Sequence, residues 1–228
     1  TFMISGLTIL FGFPAPIILA LMINEVKNSA FKRTVQTITY MPYFISMVVM
    51  CGLLKTFCMQ DGLFSQIAMA FGGSGQNFLA NPDYFRTIYV LSDIWSGIGW
   101  NSIIYLAALS SIDQEQYEAA RVDGANRFKQ MIHITLPGLV PTIMVLFILR
   151  MGNILNVGYE KILLLYNSAT YITADVISTY TYRLSFGGSG NPMYSKSTAI
   201  GLFNTIINVF FLMLTNMISK KATDAGLF

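Results

Sequence analysis

A chain of 228 residues that is 54% hydrophobic and 11% charged cannot cover a soluble surface, since soluble domains carry about 25% charged residues. An integral membrane protein is the reading that remains. The formal net charge of +3 comes from basic residues placed singly or in pairs, which excludes the dense basic patch of a nucleic-acid binder.

A membrane span needs about 20 mostly apolar residues, and five stretches meet that length. The first is 2–24, with Pro14 and Pro16 predicting a kink. It carries no charge and no basic leader, so it does not read as a signal peptide. Because the chain starts at Thr1, we expect an upstream membrane helix in a longer natural protein. The second span is 37–57, with Pro42 inside it and Cys51 and Cys58 on one helical face as small apolar residues. The third is 87–110, interrupted by Asp93, and the fourth is 138–157, interrupted by Arg150. The fifth is 198–219.

Lysine and arginine in the loops set orientation. One side collects Lys27, Lys32, Arg33, Arg121, Arg127, Lys129, Lys220 and Lys221; the other collects Arg86, Lys161, Arg183 and Lys196. Residues 111–137 and the C-terminus are therefore expected in the cytoplasm. The outer loops, 58–86 and 158–197, each contain FGGSG, at 71–75 and 186–190, read as flexible glycine turns. Neither ends in Gly-Lys-Ser/Thr, so no phosphate loop is present. Energy must come from a partner or an ion gradient.

The segment EQYEAARVDGANRFKQMIHITLP, 115–137, is the most polar long stretch. Asp113 is positioned as an N-cap with Gln116 three residues on, an approximate capping box, and Ile112 and Tyr117 stand at staple positions. Tyr117, Ala120, Gly124, Phe128 and Met131 form one stripe. Ala119 and Ala120 keep part of the surface thin enough for another backbone to approach. Gly124 suits the residue just past a helix end. A second short helix is predicted over Asn126–Ile134, ended by Pro137. His133 reads as an interface residue. No Ser/His/Asp set, paired carboxylates or metal-ligand cluster appears, so no intramembrane enzyme is indicated.

Glu118-Ala119-Ala120, Gly124, Ile134 and Leu136-Pro137 fit the spacing E-A-A-x3-G-x9-I-x-L-P at all seven fixed positions. This segment resembles the EAA loop of the membrane subunits of binding-protein-dependent (type I) ABC importers. Residues 14–46, 93–113 and 164–183 are similar to the oligosaccharide and polysaccharide branch of those permeases. The resemblance implies an all-α integral membrane fold, the MetI-like permease bundle of at least five transmembrane helices with a cytoplasmic coupling helix. Residues 1–228 would form a single transmembrane domain, with an N-terminal helix missing and 111–137 as the coupling loop. Glu118 would meet a basic group on a separate ATPase. Ala119 and Ala120 would permit close packing, Gly124 would make the bend, and Leu136 and Pro137 would fix the segment to the next span.

The implied partners are a second permease, two cytoplasmic ATPase subunits, an extracellular binding protein, membrane lipid and an oligosaccharide. The implied place is the cytoplasmic membrane, with the C-terminus inside. No cofactor is expected in this chain; ATP and Mg would bind the ATPase. An importer of the same superfamily for amino acids, sulfate or phosphate remains open, as does a stand-alone secondary transporter.

A sugar path needs hydrogen-bonding groups for hydroxyls and aromatic faces for the ring. Arg150 lies nine residues past Pro141, about 13 Å along a helix, and so is expected near mid-membrane with Asn153 on the same face. Asn156, Asp93, Trp95, Trp100, Tyr159, Tyr166 and Asn167 complete the candidates. A competing reading pairs Asp93 with Lys55 or Arg150 and makes Trp95 an interface anchor.

Overall fold

The computed structural model describes residues 1–187, 192–223 and 226–227. The second FGGSG string falls largely outside them, at 188–190.

The first helix, α1, runs Phe2–Glu25. Pro14 and Pro16 have no N–H to donate, and the ladder widens just before them into a π turn at Thr8–Gly12. Phe13 N–H reaches back to Thr8 O at 3.2 Å. Helix α2, Ser29–Tyr40, starts where the Asn28 side chain accepts from the N–H groups of Ala30 and Phe31. A 3₁₀ turn, Met41–Phe44, follows at Pro42, and α3, Met47–Cys58, restarts on a Ser46 cap. The predicted span 37–57 is thus corrected: Pro42, with no N–H to donate, lies in the 3₁₀ turn, and the backbone becomes extended at Ile45 and Ser46, which divides the span. Helix α4 is Leu63–Ala70.

Helix α5, Pro82–Ser110, is 29 residues long, or about 44 Å. It packs against α1, α2 and the 41–44 turn. At Gly99 a Cβ would lie 2.1 Å from Thr39 O, so only glycine lets α2 lie this close. Helix α6 is Gln114–Val122. After it comes a longer correction. The predicted short helix Asn126–Ile134 does not stop at Pro137. It continues as one helix, α7, over Arg127–Met151. A π turn at Met131–Thr135 absorbs Pro137, as the turn in α1 absorbs its prolines. Helix α7 also ends earlier than the predicted span 138–157. Residues 152–157 form turns, so Asn153 and Asn156 stand off the helix.

The chain then makes α8, Tyr159–Leu165, α9, Tyr171–Ala174, and α10, Ile177–Phe186. Helix α11 covers Tyr194–Thr223. Among the described residues, four stretches are long and apolar enough to cross a bilayer: Phe2–Glu25, Met47–Ala70, Arg127–Met151 and Tyr194–Lys221. Helix α5 has the length but is not among them; Asp93, Ser96, Asn101 and Ser102 interrupt its apolar run.

Many large apolar side chains face outward on α1 and α11, among them Leu10, Met22, Leu202, Phe203, Phe210 and Met213. Apolar surface this extensive marks a membrane or partner face.

Two buried clusters hold the bundle. One joins Ile4, Met50, Cys51, Phe85, Tyr89 and Ile162. The other joins Ala20, Tyr105, Leu109 and Leu139. Helix α5 contributes to both, and its residues 93–101 lie in the gap between them.

Candidate functional site

The gap between the two cores is polar because α5 turns Asp93, Gly97 and Asn101 along one face at helical spacing. Opposite, α1 offers Thr8, and the end of α7 offers Arg150. Together with Asn153 these side chains line a cavity of 420 Å³, a size typical of small-molecule sites. A smaller cavity of 110 Å³ adjoins it, sharing Thr8, Asp93, Arg150 and Asn153 and adding Tyr89, Asn156 and Lys161.

Lys161 organises the border. Its side chain is 1% exposed, and its Nζ donates to Tyr89 O at 3.0 Å and to Asp93 Oδ1 at 3.4 Å. The same ammonium sits 4.4 Å over the Tyr89 ring. Asp93 therefore pairs with Lys161, not with Lys55 or Arg150; Lys55 is exposed on α3. The sequence reading missed Lys161 and Tyr89. The loop charges put Lys161 in the outer loop 158–197, and the available signal is its position just ahead of the apolar run ILLLY.

The turn 152–157 is pinned from two sides. Ser5 Oγ donates to Ile154 O, and Leu155 N–H donates to Asn208 Oδ1 at 3.2 Å. Within the turn, Asn153 Nδ2 donates to Leu149 O at 3.1 Å and Asn156 Nδ2 to Asn153 Oδ1 at 3.2 Å. Arg150, Asn153, Asn156 and Asp93 are thus brought together.

The other candidates are not. Trp95 lines an apolar pocket with Met50, Phe57, Phe64 and Phe78. Trp100 stacks on Tyr43 at 4.7 Å and 5° and lies outside the lining of both polar cavities. Tyr159 stacks on Tyr182 at 6.0 Å. Asn167 closes a turn through the N–H groups of Ala169 and Thr170 and donates to Leu79 O at 2.9 Å. Tyr166 meets the edge of Tyr171 at 4.8 Å.

Nearby, Arg183 donates to both oxygens of Asp175, at 2.9 and 2.6 Å. Partial burial pushes the Asp175 carboxyl up, but the hydrogen bonds from Arg183 and Thr179 outweigh this and hold it below the usual carboxylate range.

The second site is the segment 113–137. Asp113 caps α6 by accepting from Glu115 N–H at 3.0 Å, in place of the expected reciprocal box with Gln116. Ile112 lies against Gly138. Gly124 has φ +75°, a left-handed bend that disfavours any side chain. Asn126 then caps the start of α7 by accepting from Lys129 N–H at 2.9 Å. Tyr117 Oη and Thr135 Oγ1 are 3.0 Å apart, and Gln130 Nε2 donates to Ala125 O at 2.8 Å. These bonds fold α6 back on α7. Arg127 also pairs with Glu25 at 3.4 Å.

The opposite face is uncovered. Glu118, Ala119, Gly124 and Pro137 are exposed, Ala120 and Leu136 are half-buried, and Val122 and Phe128 are 88% and 64% exposed. His133 Nδ1 lies 2.9 Å from Lys129 O.

Comparison with known proteins places this arrangement. A family described as binding-protein-dependent transport system inner membrane component matches residues 12–224. Protein LplB of Bacillus subtilis (strain 168) is 43% identical over 229 residues, covering 100% of this chain and 71% of that protein. The polygalacturonan/rhamnogalacturonan transport system permease protein YteP of the same organism is 40% identical, covering 100% of this chain and 70% of that protein. A crystal structure of a bacterial alginate ABC transporter, in complex with an alginate pentasaccharide-bound periplasmic protein, superposes with a TM-score of 0.94 at 47% identity. The match covers 99% of this chain and 77% of that one. An amino acid ABC transporter superposes at 0.57 with 15% identity, which speaks for the fold alone. With an all-helical bundle, an exposed EAA segment and a family match over nearly the whole length, the chain belongs to the inner membrane components of binding-protein-dependent transport systems.

Proposed function

We propose that this chain is the permease subunit of an ATP-driven oligosaccharide importer, forming half of the translocation path. One observation carries the reading. The exposed EAA segment and the polar cavity are joined by a single helix, α7, which starts at Arg127 in the loop and carries Arg150 at its far end. Its 25 residues span about 37 Å. Motion imposed at the cytoplasmic face therefore reaches the cavity through one continuous element, a rigid-body route of the kind that switches use. The relatives named for oligosaccharide and polysaccharide transport support the substrate class.

On this reading α6 docks into a groove of a separate ATPase, with Glu118 against a basic group and Ala119 and Ala120 at the closest approach. Leu136 and Pro137 join the docked segment to the rest of α7. Residues 111–137 and the C-terminus are cytoplasmic, in keeping with the loop charges. A second permease completes the path, an external binding protein delivers substrate, and ATP and Mg bind the partner ATPase.

The test is reconstitution of the assembled complex in liposomes, with Gly124→Pro or Ala120→Trp in this chain. We expect binding-protein-stimulated ATP hydrolysis to fall or to run without uptake. ATP-driven uptake at the unaltered rate in these variants would remove the segment from the coupling route.

A further inference from the structure

The end of the bundle that carries the EAA segment holds a wide cleft of 850 Å³. The end of α1 and the residues after it form one wall, and α6 with the start of α7 forms the other. The Tyr117–Thr135 bond and the bond from Gln130 to Ala125 O fix its floor. The lining carries three cations, Lys27, Arg121 and Arg127, against one carboxylate, Glu25. Arg127 takes Glu25 as its partner at 3.4 Å. Among the described residues, Lys27 and Arg121 make no ion pair. Two positive charges are left over, and an ammonium beside a guanidinium fork suits phosphate oxygens. None of Glu118, Ala119 and Ala120 lines the cleft, so it is separate from the contacts proposed for the ATPase.

A second observation says where the phosphate comes from. Ile18, Met22 and Glu25 stand at i, i+4 and i+7, on one face of α1. Ile18 and Met22 are large, apolar and exposed, so an outward-facing stripe of a membrane span leads to the charged cleft. A free anion has no use for such a stripe. A phospholipid does, because its chains lie along the apolar part while its phosphate reaches the cations. Basic pockets between membrane helices hold acidic headgroups in this way.

We infer that the cleft is a site for an acidic phospholipid, with its headgroup phosphate on Lys27 and Arg121 and an acyl chain along Ile18 and Met22. The bound lipid bridges the end of α1 and α6, and so joins a membrane span to the EAA segment. The inference is independent of what is transported.

The experiment titrates the assembled complex in detergent with phosphatidylglycerol and, separately, with phosphatidylcholine of the same chain length, which carries the same phosphate beside a compensating cation. Bound lipid is counted by native mass spectrometry. The titration is repeated with Lys27→Gln/Arg121→Gln, with Asn24→Asp, which adds a carboxylate at an exposed position of the lining, and with Lys32→Gln/Arg33→Gln outside the cleft. We expect phosphatidylglycerol to bind roughly ten- to thirtyfold more tightly than phosphatidylcholine. The Lys27/Arg121 pair should remove that preference, Asn24→Asp should weaken it, and the Lys32/Arg33 pair should keep it. Equal binding of the two lipids by the unaltered complex overturns the inference, whether or not the variants assemble. So does a preference that survives both cleft variants, or one weakened equally by the Lys32/Arg33 pair, which marks diffuse surface charge. Displacement of phosphatidylglycerol by inorganic phosphate at equal concentration assigns the cleft to a free anion and overturns the lipid. Binding that appears only once the ATPase subunits are removed shows that the ATPase covers the cleft, and overturns it as well.

Discussion

At the scale of single residues, the pairings that matter join positions far apart in the chain. Lys161 and Asp93 are 68 residues apart, and Asn167 reaches Leu79 across 88. No local pattern announces such contacts. What the sequence does announce is that intramembrane charges need a polar setting, and Asp93 and Arg150 were legible on that ground. Lys161 was not, because a lysine inside the predicted outer loop 158–197 looks solvated. The Asp175–Arg183 pair gives a testable case outside the spans. The folded carboxyl is held below its usual range, so its stabilisation is present above the unfolded pKa of about 4 and is lost as pH falls through the lower folded value. Asp175→Asn should lower the stability of the detergent-solubilised protein by about 1–2 kcal/mol near pH 7. The gap should narrow once the pH drops below about 4. A gap that is unchanged from pH 7 to pH 3 in thermal unfolding would show that the pair is not ionic in the way described.

At the scale of elements, hydrophobic runs located the helices and prolines decided where they were interrupted. Pro42 and Pro137 both lay inside apolar sequence, yet they act oppositely. Pro42 ends a helix because the chain turns there into a 3₁₀ step. Pro137 is absorbed because a π turn precedes it. Nothing in the composition of the two stretches distinguishes them; the packing of Ile112 on Gly138 and the Tyr117–Thr135 bond hold the second one in line. The glycines carry a clearer signal. Gly99→Leu would drive a side chain into the Thr39 carbonyl and should destabilise the contact between α2 and α5 by about 1–3 kcal/mol or more. A detergent melting curve unchanged by that substitution would contradict the close approach. Val122→Glu places a charge on an 88% exposed apolar residue. It should leave the chain folded while reducing the ATPase recovered with it on purification. Full recovery of the ATPase would move the docking surface elsewhere.

At the scale of the molecule, the two cores and the polar gap between them give the bundle a polar cavity at one end of α7 and the exposed EAA segment at the other. The fold class was legible from composition and from the EAA spacing, since both depend on residue type and order. The site was legible only in part. Arg150, Asn153, Asn156 and Asp93 converge, while Trp95, Trp100, Tyr166 and Asn167 sit in packing or turn roles elsewhere. The aromatic candidates had been chosen by residue type, and type does not say which way a helix face turns. The central claim is that transport by this chain is driven through residues 115–137 by an external ATPase. The most direct measurement is oligosaccharide accumulation in proteoliposomes containing the complete complex, with and without ATP, at zero ion gradient. The account predicts accumulation that requires ATP, the binding protein and the ATPase subunits together. Accumulation by this chain without the ATPase, driven by an imposed proton or sodium gradient, would contradict it.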